Sequence, residues 1–135
     1  MSSALLSRGS AIIPALGATT LVDKEGYTCT LGVTGGNLTA TLGASATVPS
    51  TGVILEGVVA ASLSSIGILG ALDGPVRMKT SGAIVAGARV QQAADGTIVT
   101  DAGAGNARVV IGVAIESGAS GDLIEVATFT PLTLA

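Results

Sequence analysis

Histidine and tryptophan are absent from this chain, and tyrosine and phenylalanine occur once each, as Tyr27 and Phe129. Without an imidazole, no side chain is ready-made for general-base work near neutral pH, and neither a Ser-His-Asp nor a Cys-His constellation can be assembled. Without aromatic faces there is no platform on which nucleotide bases could stack. Cysteine is nearly absent as well. A single Cys29 excludes an intramolecular disulfide, and with no histidine a Cys/His metal cluster is excluded too. It lies in Tyr27-Thr28-Cys29-Thr30-Leu31, where alternation places it on one face with Tyr27 and Leu31. That is the setting of a core residue, whereas a nucleophilic thiolate needs a base or a cation beside it. Charge is scarce: nine acidic and six basic residues in 135 give a net charge of −3, spread singly along the chain. No basic patch exists to displace counterions from phosphates, so nucleic acid is excluded as a partner.

Long hydrophobic runs are scarce too. Residues 1–20 contain one basic residue, Arg8, and a short apolar patch from Ala11 to Leu16 that Pro14 interrupts, which makes a poor secretion signal. The stretch from Gly52 to Leu72 approaches a membrane span in length and hydropathy. Glu56 sits inside it, Ser62, Ser64 and Ser65 break it, and Gly57, Gly67 and Gly70 punctuate it at strand-like intervals. Two buried strands are expected there rather than a membrane helix, and no membrane partner.

What the chain has in abundance is Val, Ile, Thr and 20 glycines. Apolar runs of a few residues end repeatedly in Gly, Asp-Gly or Ser-Gly, a strand-and-turn grammar, with Asp73-Gly74, Ser81-Gly82 and Asp95-Gly96 as the clearest turns. The spacing predicts strands over 11–16, 19–22, 27–33, 37–42, 53–60, 66–72, 75–79, 83–85, 88–92, 97–100, 108–115 and 122–128. Short strands at such even intervals are what a small β-barrel or β-sandwich requires. The expected class is therefore all-β, with one domain over residues 11–135. A core of small aliphatic side chains buries less surface per residue than one with aromatics, and glycines raise the entropy cost of folding. Burial against other subunits would offset both, so a homo-oligomer, or docking on a larger assembly, is expected.

An internal echo is visible. Val53-Ile54-Leu55-Glu56-Gly57-Val58-Val59-Ala60-Ala61-Ser62 aligns without gaps on Arg108-Val109-Val110-Ile111-Gly112-Val113-Ala114-Ile115-Glu116-Ser117. Gly57 and Gly112 are thus expected as equivalent kinks within strands. Residues 1–10 differ in kind, being small, polar and unpatterned apart from Leu5-Leu6. They read either as a frayed terminus or as a flexible arm that orders on a partner by strand addition or by burying those leucines. Leu5, Leu6, Arg8, Ile12 and Ile13 are the candidate contacts to that partner or between subunits.

No motif carries chemistry. Asp95 with Asp101, or Asp122 with Glu125, could be paired as acid and base, but Asp95 opens an Asp-Gly turn, Asp101 precedes a glycine-rich loop and Asp122 follows Gly121 at a strand entrance. Turn chemistry accounts for each. Gly103-Ala104-Gly105 lacks the Gly-Lys-Ser/Thr ending of a phosphate loop. Lys79 faintly resembles the acylated lysine of a biotinyl or lipoyl carrier domain, but glycine-rich hairpins do not bracket it. Asn37-Leu38-Thr39 fits the glycosylation sequon without a secretion signal to make use of it. No catalytic residue, cofactor or metal is expected, and the chain is read as a non-enzyme.

The C-terminal two-thirds carry phrases in a recognisable order. Gly82-Ala83-Ile84-Val85-Ala86-Gly87-Ala88-Arg89-Val90 is followed by Ala94-Asp95-Gly96-Thr97-Ile98-Val99-Thr100, and then by the run from Val110 to Glu116 and Ser117-Gly118-Ala119-Ser120-Gly121-Asp122-Leu123-Ile124-Glu125-Val126. This order over about residues 53–128 resembles the bacteriophage capsid decoration (cement) proteins, a family of small conserved phage head proteins. The resemblance implies a small β-barrel or sandwich that binds the outside of an assembled head, commonly as a trimer, and stabilises it. It implies the major capsid protein and further copies of the chain itself as partners. It also implies a place on the exterior of a virion assembled in the host cytoplasm. A binding module of a phage tail or head fibre is the alternative.

Overall fold

The computed structural model describes residues 11–135. The fold is all-β. Five strands, β1 (Ile12–Gly17), β2 (Thr28–Thr34), β3 (Asn37–Leu42), β4 (Gly52–Ile54) and β5 (Leu63–Ile68), close into a barrel in the order β1-β3-β2-β4-β5. Antiparallel ladders join β2 to β3, β2 to β4, β4 to β5 and β5 to β1. A parallel pairing of β1 with β3, through Leu16↔Thr39 and Gly17↔Ala40, completes the ring. The second half is a five-stranded sheet of β6 (Val76–Lys79), β7 (Arg89–Gln92), β8 (Ile98–Thr100), β9 (Arg108–Ala114) and β10 (Leu123–Leu134). Its order is β6-β10-β9-β7-β8, and a single bridge from Thr80 to Ile98 brings its two edges together, so the sheet curls towards closure.

Local chemistry places the turns. Gly35 and Gly36 both take positive φ, the requirement of a two-residue hairpin turn, and they join β2 to β3 across Thr34↔Asn37. Asp95-Gly96 turns β7 into β8: Gly96 has φ +86°, and the Asp95 carboxylate accepts hydrogen bonds from the backbone N–H and hydroxyl of Thr97. Those bonds, led by the Thr97 hydroxyl, lower the Asp95 pKa.

Several elements differ from their expected bounds. Residues 19–22 are no strand; they bend past the connection between β4 and β5, with the Leu21 N–H donating to the Val58 carbonyl. The strand expected over 53–60 ends at Ile54, and the one expected over 66–72 starts at Leu63 and ends at Ile68. Residues 83–85 form only an isolated bridge, Ile84 to Gly118. β10 continues beyond residue 128 to Leu134, with a register shift between Thr128 and Leu132. The membrane-like stretch from Gly52 to Leu72 holds the two strands β4 and β5.

Two clusters of buried side chains hold the molecule together. The barrel encloses Ala15, Leu21, Cys29, Ala40, Ile54 and Ile66. The larger cluster lines the second sheet, with Met78, Ile84, Val90, Ile98, Val109, Ile111, Ile124 and Val126, and it takes in Val53 and Leu69 from the barrel half. Neighbouring residues on β4 therefore serve different cores, Ile54 inside the barrel and Val53 on the second sheet, as strand alternation dictates. At about 25 cal/mol per Å², this shared burial couples the halves.

Candidate interaction surface

Alternation along β1 divides its side chains. Ala15 is buried and Ile13 packs on the barrel core, so Ile12, Pro14 and Leu16 point outward, and Ile12 remains 45% exposed. Ile12 and Ile13, expected together as contacts, thus face opposite ways. Leu5, Leu6 and Arg8 lie outside the described residues. Across the antiparallel ladder Leu16 stands opposite Leu63, which is 62% exposed. The turn leading into β5 adds exposed Val59, Ala60 and Ala61, with Ala61 in the left-handed region at φ 65°. A shallow depression of about 260 Å³ beside them is lined by Leu16, Gly17, Ala18, Thr34, Thr39, Ala60 and Ala61. The β2–β3 hairpin carries the cross-strand pair Val33↔Leu38, both exposed, with the parity of the residues that face the barrel core.

Charge is distributed unequally between the halves. From residue 9 to residue 72 the charged residues are Asp23, Lys24, Glu25 and Glu56, all in connections, so β1 to β5 carry none. In the second half, Arg77, Lys79, Arg89, Arg108 and Glu125 lie on strands. An open groove of about 490 Å³ there is lined by Arg77, Lys79, Glu116, Ser117, Gly121, Asp122, Leu123 and Ile124, with both signs present. Lys79 sits within β6, paired with Leu123.

The remaining polar groups do structural work that spacing did not reveal. Asp101 receives the guanidinium groups of Arg89, at 2.7 Å, and of buried Arg108. Hydrogen bonds from Arg108 first, then from Arg89 and the Gly103 N–H, hold its carboxyl well below the usual carboxylate range. Gln92 is buried and spans the halves: its Oε1 accepts from the Ser50 N–H at 3.0 Å, and its Nε2 donates to the carbonyls of Ser45 and Val48 at 2.7 and 2.6 Å. Its one sequence signal was parity, since alternation puts Gln92 on the inward face with Val90. Cys29 is fully buried, and desolvation pushes its thiol pKa up to about 12. Asp95 and Asp101, weighed as a carboxylate pair, belong respectively to a turn and to an ion-pair cluster. Asp122 caps the turn before β10 by accepting from the Ala119 N–H, and Glu125 lies in β10.

The two glycines of the internal echo occupy different places. Gly57 lies beyond β4 in the connection to β5, where a Cβ would come 2.6 Å from the Leu21 carbonyl oxygen. Gly112 lies inside β9, opposite Thr128 where the β10 register begins to shift, and a Cβ there would come 2.5 Å from the Ala127 carbonyl oxygen. Backbone approaches closely at both, but only Gly112 belongs to a strand, so the echo does not place equivalent kinks.

No family model matches the sequence, and no curated protein matches it. Among solved structures the chain is similar to the head fiber gp8.5 N base of bacteriophage phi29, with a TM-score of 0.69. The two chains share a fold. The superposition covers 92% of this chain and 98% of that one at 15% sequence identity, so both the barrel and the curled sheet fall within the common architecture.

Proposed function

We propose that this chain is a structural protein of a bacteriophage head, which binds the major capsid protein on the outside of the particle and stabilises it as a decoration subunit. The observation that carries this reading is the fold held in common with a phage head fibre base over nearly the full length of both chains. The ordered turn phrases that resemble the decoration proteins support it independently. The chemistry is compatible, since a decoration subunit acts by occupying many identical sites whose weak contacts sum, and it needs no reacting group. In this reading the chain is a homo-oligomer, assembled in the host cytoplasm and carried on the virion exterior. A second reading, the base of a head fibre, is favoured by the identity of the structural neighbour.

The test is to mix purified protein with expanded capsids that lack it, sediment the mixture, and count bound copies by quantitative mass spectrometry. Saturation at a copy number matching the repeated capsid lattice, together with greater resistance of the heads to heat, is the expected result. Saturation at few copies would favour the fibre base, and absence of binding would overturn both readings.

A further inference from the structure

Asp-Gly occurs twice in this chain, at Asp73-Gly74 and at Asp95-Gly96; every other aspartate is followed by a residue that has a side chain, and no Asn-Gly is present. The dipeptide is chemically special. Glycine puts no Cβ in the way of its own backbone nitrogen, which can then reach the carboxyl carbon of the preceding aspartate and close a five-membered ring. The fold treats the two steps oppositely. At Asp95 the carboxylate accepts from the N–H and the hydroxyl of Thr97. Both backbone groups of Gly96 are fixed, its N–H donating to the Ala93 carbonyl at 3.3 Å and its carbonyl accepting from the Thr28 N–H at 2.8 Å. Gly96 is also buried, with Leu42 and Tyr27 against it. At Asp73 nothing holds the step. Asp73, Gly74 and Pro75 are consecutive exposed residues in the connection from β5 to β6. The Asp73 carboxylate and the Gly74 N–H have no hydrogen-bond partner among the described residues, and beyond its chain neighbours no atom lies within 4 Å of where a Gly74 Cβ would stand.

We propose that Asp73-Gly74 is a self-modification site, where the folded protein converts its own backbone to an isoaspartyl linkage while Asp95-Gly96 is protected from the same reaction. In the first step the Gly74 nitrogen forms a bond to Cγ of the protonated Asp73 carboxyl, whose hydroxyl leaves with the amide proton as water, giving a succinimide. In the second, water adds to either ring carbonyl. Opening at Cγ restores aspartate; opening at the backbone carbonyl carbon leaves the chain running through Cβ and Cγ, with a free α-carboxylate. The water released first is taken up again, so composition is unchanged and nothing is oxidised or reduced. Thr97 opposes this at Asp95 in a further way, because its bonds favour the ionised carboxylate, which has no hydroxyl ready to leave. The site matters to the fold because this connection carries the chain from the barrel to the second sheet, and Leu72 and Val76 on either side of it pack on the larger core. The isoaspartyl form inserts an additional backbone atom between those two anchors.

The reaction needs no partner, so it is followed on the purified full chain. The protein is incubated folded, and in parallel unfolded in guanidinium chloride, in heavy-oxygen water at mildly acidic to neutral pH. Isoaspartate is counted by methyl transfer from S-adenosylmethionine with an isoaspartyl methyltransferase, and it is located by peptide mapping with electron-transfer fragmentation. Unfolded, both steps should acquire isoaspartate and heavy oxygen at similar rates. Folded, Asp73 should keep that rate to within a few-fold, while Asp95 should fall roughly tenfold or more below it, since its hydrogen bonds must open first. Gly74 lies outside the left-handed region and in open surroundings, so Gly74→Ala should keep the wild-type melting curve and slow conversion at Asp73 several-fold. An Asp73 that stays unmodified in the folded protein, an Asp95 that converts there as fast as Asp73, or a Gly74→Ala variant that converts as fast as the wild type would each overturn the proposal.

Discussion

Gly112 and Gly105 show how differently two glycines of one chain are constrained. At Gly112 a side chain would enter the space of the Ala127 carbonyl and the Val126 side chain, both on a paired strand that cannot retreat without breaking its ladder. At Gly105 no atom lies within 4 Å of the Cβ position, and only its φ of +89° disfavours other residues. Gly112→Val should therefore cost about 3 kcal/mol, as overpacking does, and Gly105→Ala about 1 kcal/mol; paired thermal melts read the difference. Gln92→Leu should cost about 3 kcal/mol, because it strands the buried Ser50 N–H and two carbonyls without partners. The inward direction of Cys29 was legible from alternation alone, and its raised pKa predicts negligible labelling by thiol reagents until the protein unfolds. The clamp made by Gln92 was not legible, since its partners lie over 40 residues away.

At the scale of elements, the strands that were readable are those whose turns announce themselves. β2, β3, β6, β7, β8 and β9 fall close to the expected ranges because glycine or Asp-Gly punctuation flanks them. Residues 19–22 and 83–85 looked alike as short β-prone segments, Thr-Thr-Leu-Val and Ala-Ile-Val, but the N–H groups of Leu21 and Ile84 bond to connections instead of to ladders. The extension of β10 was hidden by Pro131. Proline lacks an N–H and is tolerated in a strand only where one side needs no donor, and β6 pairs with β10 only as far as Val126. The ion-pair cluster also acts between elements, because Asp101 links Arg89 on β7 to Arg108 on β9. Its depressed folded pKa means that its contribution is present above the ordinary carboxylate range and is lost as pH falls below about 4. Melting temperature should drop through that window in the wild type. Asp101→Asn should lower it by several degrees at neutral pH, because Arg108 is left buried without its counter-charge, and should flatten the acid dependence.

At the scale of the molecule, the all-β class followed from punctuation and from the lack of any helical stripe, but the split into a closed barrel and a curled sheet did not. Closure depends on β1 meeting β3, a pairing between strands more than 20 residues apart that no local pattern encodes. On the outside of the barrel only strand parity was legible: Ile12 points outward from β1, whereas Leu16 and Leu63 become neighbours only through the ladder. In the head-protein reading, deleting residues 2–10 should weaken capsid binding, as a sedimentation assay would register. One further consequence concerns how the molecule comes apart. β1 is held by β5 along most of its length but by β3 only at its end, through a parallel pairing that is weaker per residue. That seam is where the cylinder should first unzip, so the amides along it should exchange with deuterium ahead of the rest of the barrel. A pull transmitted through the start of the chain would split the ring there while the curled sheet stayed whole.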